Sequence, residues 1–344
     1  MKILGIESSC DETAAAILNV SLKQQSCIIS NVVYSQTEEH IEYGGVVPEI
    51  ASRAHMERID EIVKIALKDA NMSLKDLDAI SVTQGPGLLG GLLVGTSFAK
   101  SLHLISGVPL IGVNHLEGHA LTAHLTEELN FPYLLLLVSG GHCQFIHVKD
   151  LADYNTLGAT IDDSIGECFD KVAKMLGLSY PGGPNIERLS VHGNPKAYDL
   201  PISLRDGSVN FSFSGLKSAV RRKIQLIEEE NPLSEQDISD LCASFQETVA
   251  LTLEYKTKKA MELCGCADFV LAGGVAANKL LRSRLNSLCN EKGVTFHAPP
   301  INLCTDNAVM IAYAGGLRLL SGSKPTQLEN FKAVPRWPLD KLSL

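Results

Sequence analysis

The sequence predicts an α/β protein built from two related halves, and three observations carry that prediction. Short apolar, strand-like runs alternate with longer helical stripes along most of the 344 residues, the pattern of layered α/β folds. A strand–turn–strand unit opens the chain, and another of the same type opens at residue 133. Glycine pairs follow strand-like runs at Gly140-Gly141 and Gly273-Gly274. Two such units, each heading one half, indicate internal duplication, with a nucleotide bound in a cleft between the halves.

The elements follow in order. Ile3, Leu4 and Ile6 are apolar, residues 7–13 form a polar loop, and residues 14–20 are apolar again. Across residues 52–70, Met56, Ile59, Val63, Ala66, Leu67 and Ala70 make one helical stripe. Residues 77–83 read as a strand ending in Gln84-Gly85-Pro86-Gly87, residues 92–106 as a helix and residues 110–113 as a strand. The second unit is Tyr133–Val138, the turn Ser139-Gly140-Gly141-His142, and a strand over 144–148. Residues 215–229 and 235–263 read as helices, the latter with Ile238, Leu241, Phe245 and Val249 at spacings of three and four. Asp268–Ala272 is a strand entering Gly273-Gly274, followed by a helix from Ala276. Residues 180–215, polar and rich in Gly and Pro, read as a surface insertion near a site.

Composition excludes several classes. With 45% hydrophobic and 20% charged residues the chain is ordinary for a globular protein. Thirty basic against 39 acidic side chains leave a net charge of −9, so nonspecific affinity for nucleic acid is not expected from the chain alone. A phosphate-rich partner must meet a local patch or another protein. Arg221-Arg222-Lys223, Lys256 with Lys258 and Lys259, and Lys279 with Arg282 and Arg284 are candidate phosphate contacts or, equally, solvated helix faces. No apolar run is long enough for a membrane helix, and the N-terminus resembles neither a signal peptide nor a transit segment. Nine cysteines with no CxxC pair and one CxC, Cys264 and Cys266, suit reduced, mostly buried thiols in a cytoplasm.

Three constellations carry chemistry. In His115-Leu116-Glu117-Gly118-His119 the histidines are spaced i and i+4, so on a helix both rings share a face and can grip one metal ion; two surface histidines are an equal reading. Glu117 lies two positions from each and is rotated off that face, unlike the glutamate of HExxH. Asp306, in Cys304-Thr305-Asp306-Asn307, is a plausible third ligand, and two His with one carboxylate suit Fe(II) or Zn(II). The second constellation is the glycine turns: residues 138–142, and 272–278 ahead of a helix, let backbone N–H groups approach an anion. Neither is a Walker A motif, and residues 90–97 have Thr96 at the lysine position. The third is acidic: Asp11 and Glu12 at the first turn, and Asp163, Glu167 and Asp170 on one helical face, where helix-dipole stabilisation is the competing explanation.

Together these stretches resemble the tRNA adenosine threonylcarbamoyltransferase family, the TsaD and Kae proteins once called O-sialoglycoprotein endopeptidases. The resemblance runs in unbroken order through residues 5–13, 84–88, 115–119, 138–142, 166–171, 180–184, 211–217, 273–278 and 304–307. Leu116 stands where the family often has Met, and Ala308 where it often has Gly. The resemblance implies an actin/Hsp70/sugar-kinase fold, with an N-terminal domain of residues 1–125 plus 312–344 and a C-terminal domain of 126–311. His115, His119 and Asp306 would correspond to metal ligands, usually for iron. Val138, Ser139, Gly140, Gly141 and His142 would hold the phosphate or threonylcarbamoyl end of the substrate. Asp170, Gly183, Glu187 and Asn278 would surround the adenosine.

The implied reaction transfers threonylcarbamoyl from threonylcarbamoyl-AMP to N6 of the adenosine at position 37 of tRNAs that read codons beginning with adenine. Asp11 or Glu12 is the candidate proton acceptor. Implied partners are tRNA, an inactive TsaB-like paralogue and a TsaE-like P-loop ATPase in the cytoplasm, with no membrane. The start at residue 1 without a leader resembles the bacterial branch. A phosphotransferase or ATPase of the same fold would turn over ATP alone; a metalloprotease would cleave peptides when metal-loaded.

Overall fold

The computed structural model describes residues 1–342. Ser343 and Leu344, which end the predicted segment 312–344, lie outside the described residues. The chain divides into two compact units: one comprises residues 1–129, 150–154 and those from 305 onward, the other residues 130–149 and 155–304.

In unit 1, strands β1 (Lys2–Glu7), β2 (Glu12–Asn19), β3 (Cys27–Ser35), β4 (Ala79–Gly85) and β5 (Leu110–Asn114) form a sheet of order β3-β2-β1-β4-β5. β1 to β3 are an antiparallel meander; β4 and β5 join in parallel. The helices of this unit are α1 (Thr37–His40), α2 (Pro48–Asp69), α3 (Leu89–Ser106), α4 (His115–Leu121), α5 (Ala123–Thr126) and the late α11 (Ala308–Leu320). Leu4, Ile6, Ile17, Ile80 and Val82 of the sheet close over Ile59, Val63 and Ala66 of α2 and Ala99 and Leu102 of α3. α11 lies directly against β1: a side chain at Gly5 would bring its Cβ within 2.2 Å of the Ala308 carbonyl oxygen.

Unit 2 repeats the plan. β6 (Tyr133–Val138), β7 (Cys143–Asp150), β8 (Asp153–Ala159), β9 (Asp268–Ala272) and β10 (Thr295–His297) are ordered β10-β9-β6-β7-β8, with β6 and β7 antiparallel and β9 and β10 added in parallel. Here α6 (Ile165–Met175), α7 (Gly182–Ser190), α8 (Ser214–Glu228), α9 (Glu235–Cys264) and α10 (Lys279–Lys292) supply the cover. The duplication predicted from two hairpins is therefore one of whole five-stranded sheets, because β3 and β8 extend each hairpin into a meander.

Four expectations need correction. Met56 is 66% exposed rather than part of the buried stripe of α2, which runs through Ala51, Ala54, His55, Ile59, Ile62, Val63 and Ala66; apolarity alone does not assign a face. Asp163 precedes α6, whose N-cap is Ser164. The helix after Gly273 is a single 3-10 turn, Gly274–Ala277, and α10 starts only at Lys279. Residues 180–215 are not a mere surface insertion: they contain α7, and Ile186, Leu200, Val209, Phe211 and Phe213 sit in the hydrophobic core of unit 2. Among the described residues no helix is long and apolar enough to cross a membrane.

Candidate metal centre

Local sequence explains how the His helix forms. Asn114 ends β5 and caps α4, its side-chain oxygen accepting from the backbone N–H of Leu116 at 2.9 Å and Glu117 at 3.4 Å. Gly118 lets α11 approach, since a Cβ there would stand 3.0 Å from the Met310 side chain. Asn307 caps α11 in the same way, accepting from the Met310 N–H at 3.0 Å, and Ala308 opens the helix as its first residue. Asp306 is thereby fixed just outside α11 and facing α4.

The result is a compact donor set within unit 1. His119 Nε2 lies 3.0 Å and His115 Nε2 3.5 Å from the same Asp306 oxygen, and one donor from each residue falls within 4.8 Å of the others. Both histidines are buried. Behind His115, its Nδ1 is 3.1 Å from Glu7 Oε2 and 3.1 Å from Ser9 Oγ. A carboxylate behind a histidine fixes the tautomer and leaves Nε2 to face a metal. Glu7 is itself held by hydrogen bonds from Thr83 and from the Ser9 backbone N–H, both at 2.6 Å. Burial works against a charged His115, but Asp306 and Glu7 outweigh it and raise the imidazole to about 9. Burial likewise raises Glu7, yet the adjacent His115 and its hydrogen bond hold that carboxyl below the ordinary range. The donor set fits a divalent cation of the Fe(II) or Zn(II) type.

Glu117 has a structural role. It is fully buried, accepts from Tyr154 at 3.0 Å and stands 2.8 Å from Arg318 Nε. Of the first-turn acids, Asp11 is buried, and burial, then the Asp11 and Asp306 carboxylates, push Glu12 well above the usual carboxylate range.

Unit 2 places the predicted loops as follows. The turn after Val138 is closed by Ser139 N–H donating to His142 O at 2.7 Å and His142 N–H to Ser139 Oγ at 3.1 Å, and Ser164 donates to Gly140 O. A Cβ at Gly140 or Gly141 would meet nothing within 4 Å, and neither has a positive φ. Neither packing nor backbone conformation demands glycine there. Gly273 differs: its φ is 92° and a Cβ would fall 2.4 Å from Val138 O.

Asp170 accepts from Gly182 N–H at 2.7 Å, and Glu187 from Lys279 N–H at 2.7 Å; Gly183 faces open space. Asn278 caps α10 and donates to Gln246 Oε1 at 2.8 Å. Glu187, Arg188, Gln246 and Lys279 line a cavity of about 680 Å³, a size usual for small-molecule sites.

Sequence reasoning missed Glu7 and Gln246. Glu7 had a weak signal, an acid ending an apolar strand; Gln246 had none, one polar residue in a stripe judged by its apolar members. Several basic candidates are already committed. Lys256 is fully buried and donates to the carbonyls of Leu204 at 2.5 Å and Ser208 at 2.7 Å, so it is no phosphate contact. Arg284 pairs with Glu247 and Glu254, and Arg282 donates to Ala276 O and Pro299 O. Arg221, Arg222 and Lys258 remain exposed.

Fold and site together define a duplicated α/β protein of the actin/Hsp70/sugar-kinase type with a His-His-Asp group suited to a metal. The fold is shared, at 15% identity and a TM-score of 0.59, with T. kodakarensis HypF, over 93% of this chain and 48% of that one. It is shared also with the Acidaminococcus fermentans (R)-2-hydroxyglutaryl-CoA dehydratase component A, at 17% identity and 0.53, over 93% and 99%. A profile of the family TsaD, tRNA N6-adenosine threonylcarbamoyltransferase, matches residues 27–313. Proteins of that name from Brucella anthropi and Rhizobium johnstonii are 54% and 53% identical, over 100% and 99% of this chain and 96% and 94% of theirs. The chain belongs to the tRNA N6-adenosine threonylcarbamoyltransferase family and is an acyltransferase.

Proposed function

We propose that this chain transfers the threonylcarbamoyl group of threonylcarbamoyl-AMP to N6 of adenosine 37 in tRNAs reading codons that begin with adenine, in the cytoplasm. The observation carrying the metal-dependent reading is the buried His115, His119 and Asp306 group with Glu7 oriented behind it. Iron(II) is the proposed ion, zinc(II) the alternative. Held there, a divalent cation supplies Lewis-acid polarisation and a fixed point for the donor's anionic oxygens.

The chain's own residues do the rest. Glu7 keeps the His115 ring in one orientation. The 138–142 turn holds the phosphate or threonylcarbamoyl end of the donor; the open space beside Gly140 and Gly141 supports this, since it leaves the turn's backbone accessible to a ligand. Asp170, Gly183, Glu187 and Asn278 surround the adenosine. The N6 lone pair attacks the carbamoyl carbon, the bond from that carbon to the AMP phosphate oxygen breaks, and AMP leaves with the electron pair. The N6 proton passes to Glu12 or Asp11, the two carboxyls of the first turn.

The net charge of −9 supports help with tRNA from other subunits, the TsaB-like paralogue and the TsaE-like ATPase. Exposed Met56 of α2 and Leu89, Leu93, Leu104 and Ile105 of α3 support a protein partner on these helices. The test is nucleoside mass spectrometry of unmodified tRNA after incubation with ATP, threonine, bicarbonate, the adenylate-forming enzyme and partners. Threonylcarbamoyladenosine should form with this chain and vanish without it. No product under conditions where a known family member succeeds overturns the reading.

A further inference from the structure

Unit 2 holds a second group of metal-type donors that the transferase reading does not use. His147 lies on β7, Cys264 is the last residue of α9, and Cys266 follows two positions later. Gly265 between them has φ 65°, a left-handed helix cap. The turn brings the two sulfurs to 2.7 Å, and one His147 ring nitrogen and both sulfurs lie within 4.8 Å of one another. All three residues are partly buried. Both cysteines are free thiols. Nε2 of His147 is closed off from solvent with no hydrogen-bond partner, although buried polar atoms ordinarily find one.

We propose that His147, Cys264 and Cys266 form a second cation site, selective for a thiophilic closed-shell ion such as zinc(II). Two thiolates and an imidazole are a soft donor set, unlike the oxygen- and nitrogen-only set of His115, His119 and Asp306. Zinc–sulfur bonds of about 2.3 Å require sulfurs roughly 3.8 Å apart. Cys266, outside both α9 and β9, must therefore swing about 1 Å from Cys264 to admit the ion. Both thiol protons leave to solvent as the zinc–sulfur bonds form, and nothing is oxidised. Burial, and then the neighbouring Cys266, push the Cys264 thiol up to about 12, so proton release accompanies binding across the neutral range. A fourth position is left for water.

The location separates this site from the substrate loops. β9 starts at Asp268, two residues beyond Cys266, and ends at Ala272 before Gly273. The ion would staple the α9–β9 junction to β7 at the end of β9 away from the Gly273 turn.

The test uses full-length, reduced protein carrying His115→Ala and His119→Ala, which silences the first donor set. Titration with Zn²⁺ against a chromophoric chelator should find one equivalent per chain, and Co²⁺ should give a thiolate-to-cobalt charge-transfer band. Adding Cys264→Ser and Cys266→Ser should abolish both, and His147→Ala should weaken binding by about tenfold or more. In the unsubstituted protein Zn²⁺ should shield both thiols from alkylation, which keeps the test decisive if the serine variant misfolds. No zinc uptake, equal uptake with the serines, no thiolate band, no shielding, or a Cys264–Cys266 disulfide that resists reduction would each overturn the proposal.

Discussion

The turns that follow the first strand of each sheet make the sharpest contrast in the molecule. β1 and β6 occupy the same central place in sheets of the same order. In unit 1, residues 8–13 separate the paired Glu7 and Ala14; in unit 2, only residues 139–142 separate Val138 and Cys143. The first turn is packed with buried polar side chains, Ser8, Ser9 and Asp11, and its strand ends in a carboxylate that bonds His115. The second has glycines facing open space. One topology has thus been given two different turns: in one half side chains fix a metal-type donor set, in the other the glycine backbone faces open space.

That contrast can be broken most forcefully at the donor set. His119→Ala or Asp306→Ala should remove the bound metal equivalent and lower threonylcarbamoyladenosine formation by about 100-fold or more, read by metal analysis and nucleoside mass spectrometry. Glu117→Ala, on the same helix, should leave the metal stoichiometry intact but destabilise the fold by about 3–5 kcal/mol in denaturant titrations, because Arg318 is stranded without its buried partner.

Glu7→Gln sharpens the comparison, since it keeps the shape and removes the charge behind His115. Metal affinity should fall by about 10–100-fold, whereas Val138→Ala at the matching position should leave it unchanged. The pH dependence has a definite sign. Without metal His115 keeps its proton up to about pH 9, and a ligand must be neutral, so binding below that pH releases a proton. Affinity should rise with pH between the ordinary histidine range and about 9, then level off; calorimetry in buffers of different ionisation enthalpy measures the proton.

The smallest effect on stability is expected at Gly141. Gly141→Ala should shift stability by about 0.5 kcal/mol or less while raising the KM for the donor. Gly273→Ala, at positive φ and against Val138 O, should cost about 1–3 kcal/mol. If Gly141→Ala leaves KM untouched, the turn of unit 2 does not hold the donor.

Strand and helix positions followed from the sequence because they depend on local periodicity: β6 and β9 lie where their apolar runs placed them, as do α8 and α9 within a residue or two. The pairing of His115 with His119 was legible for the same reason, as helical geometry fixes it. Which face a helix buries depends on what packs against it, and Met56 was misassigned for want of that. Glu7 and Gln246 meet the candidate residues His115 and Asn278 only because β1 packs by α4 and α9 by α10. Their neighbours lie 108 and 32 residues away along the chain, a separation that leaves no local pattern. Asp306 could be nominated from its residue type, but its 3.0 Å approach to His119 depends on the packing of α11 against α4, which the small Gly118 eases. Local order is a property of neighbours in sequence, whereas a site joins groups that only tertiary packing brings together.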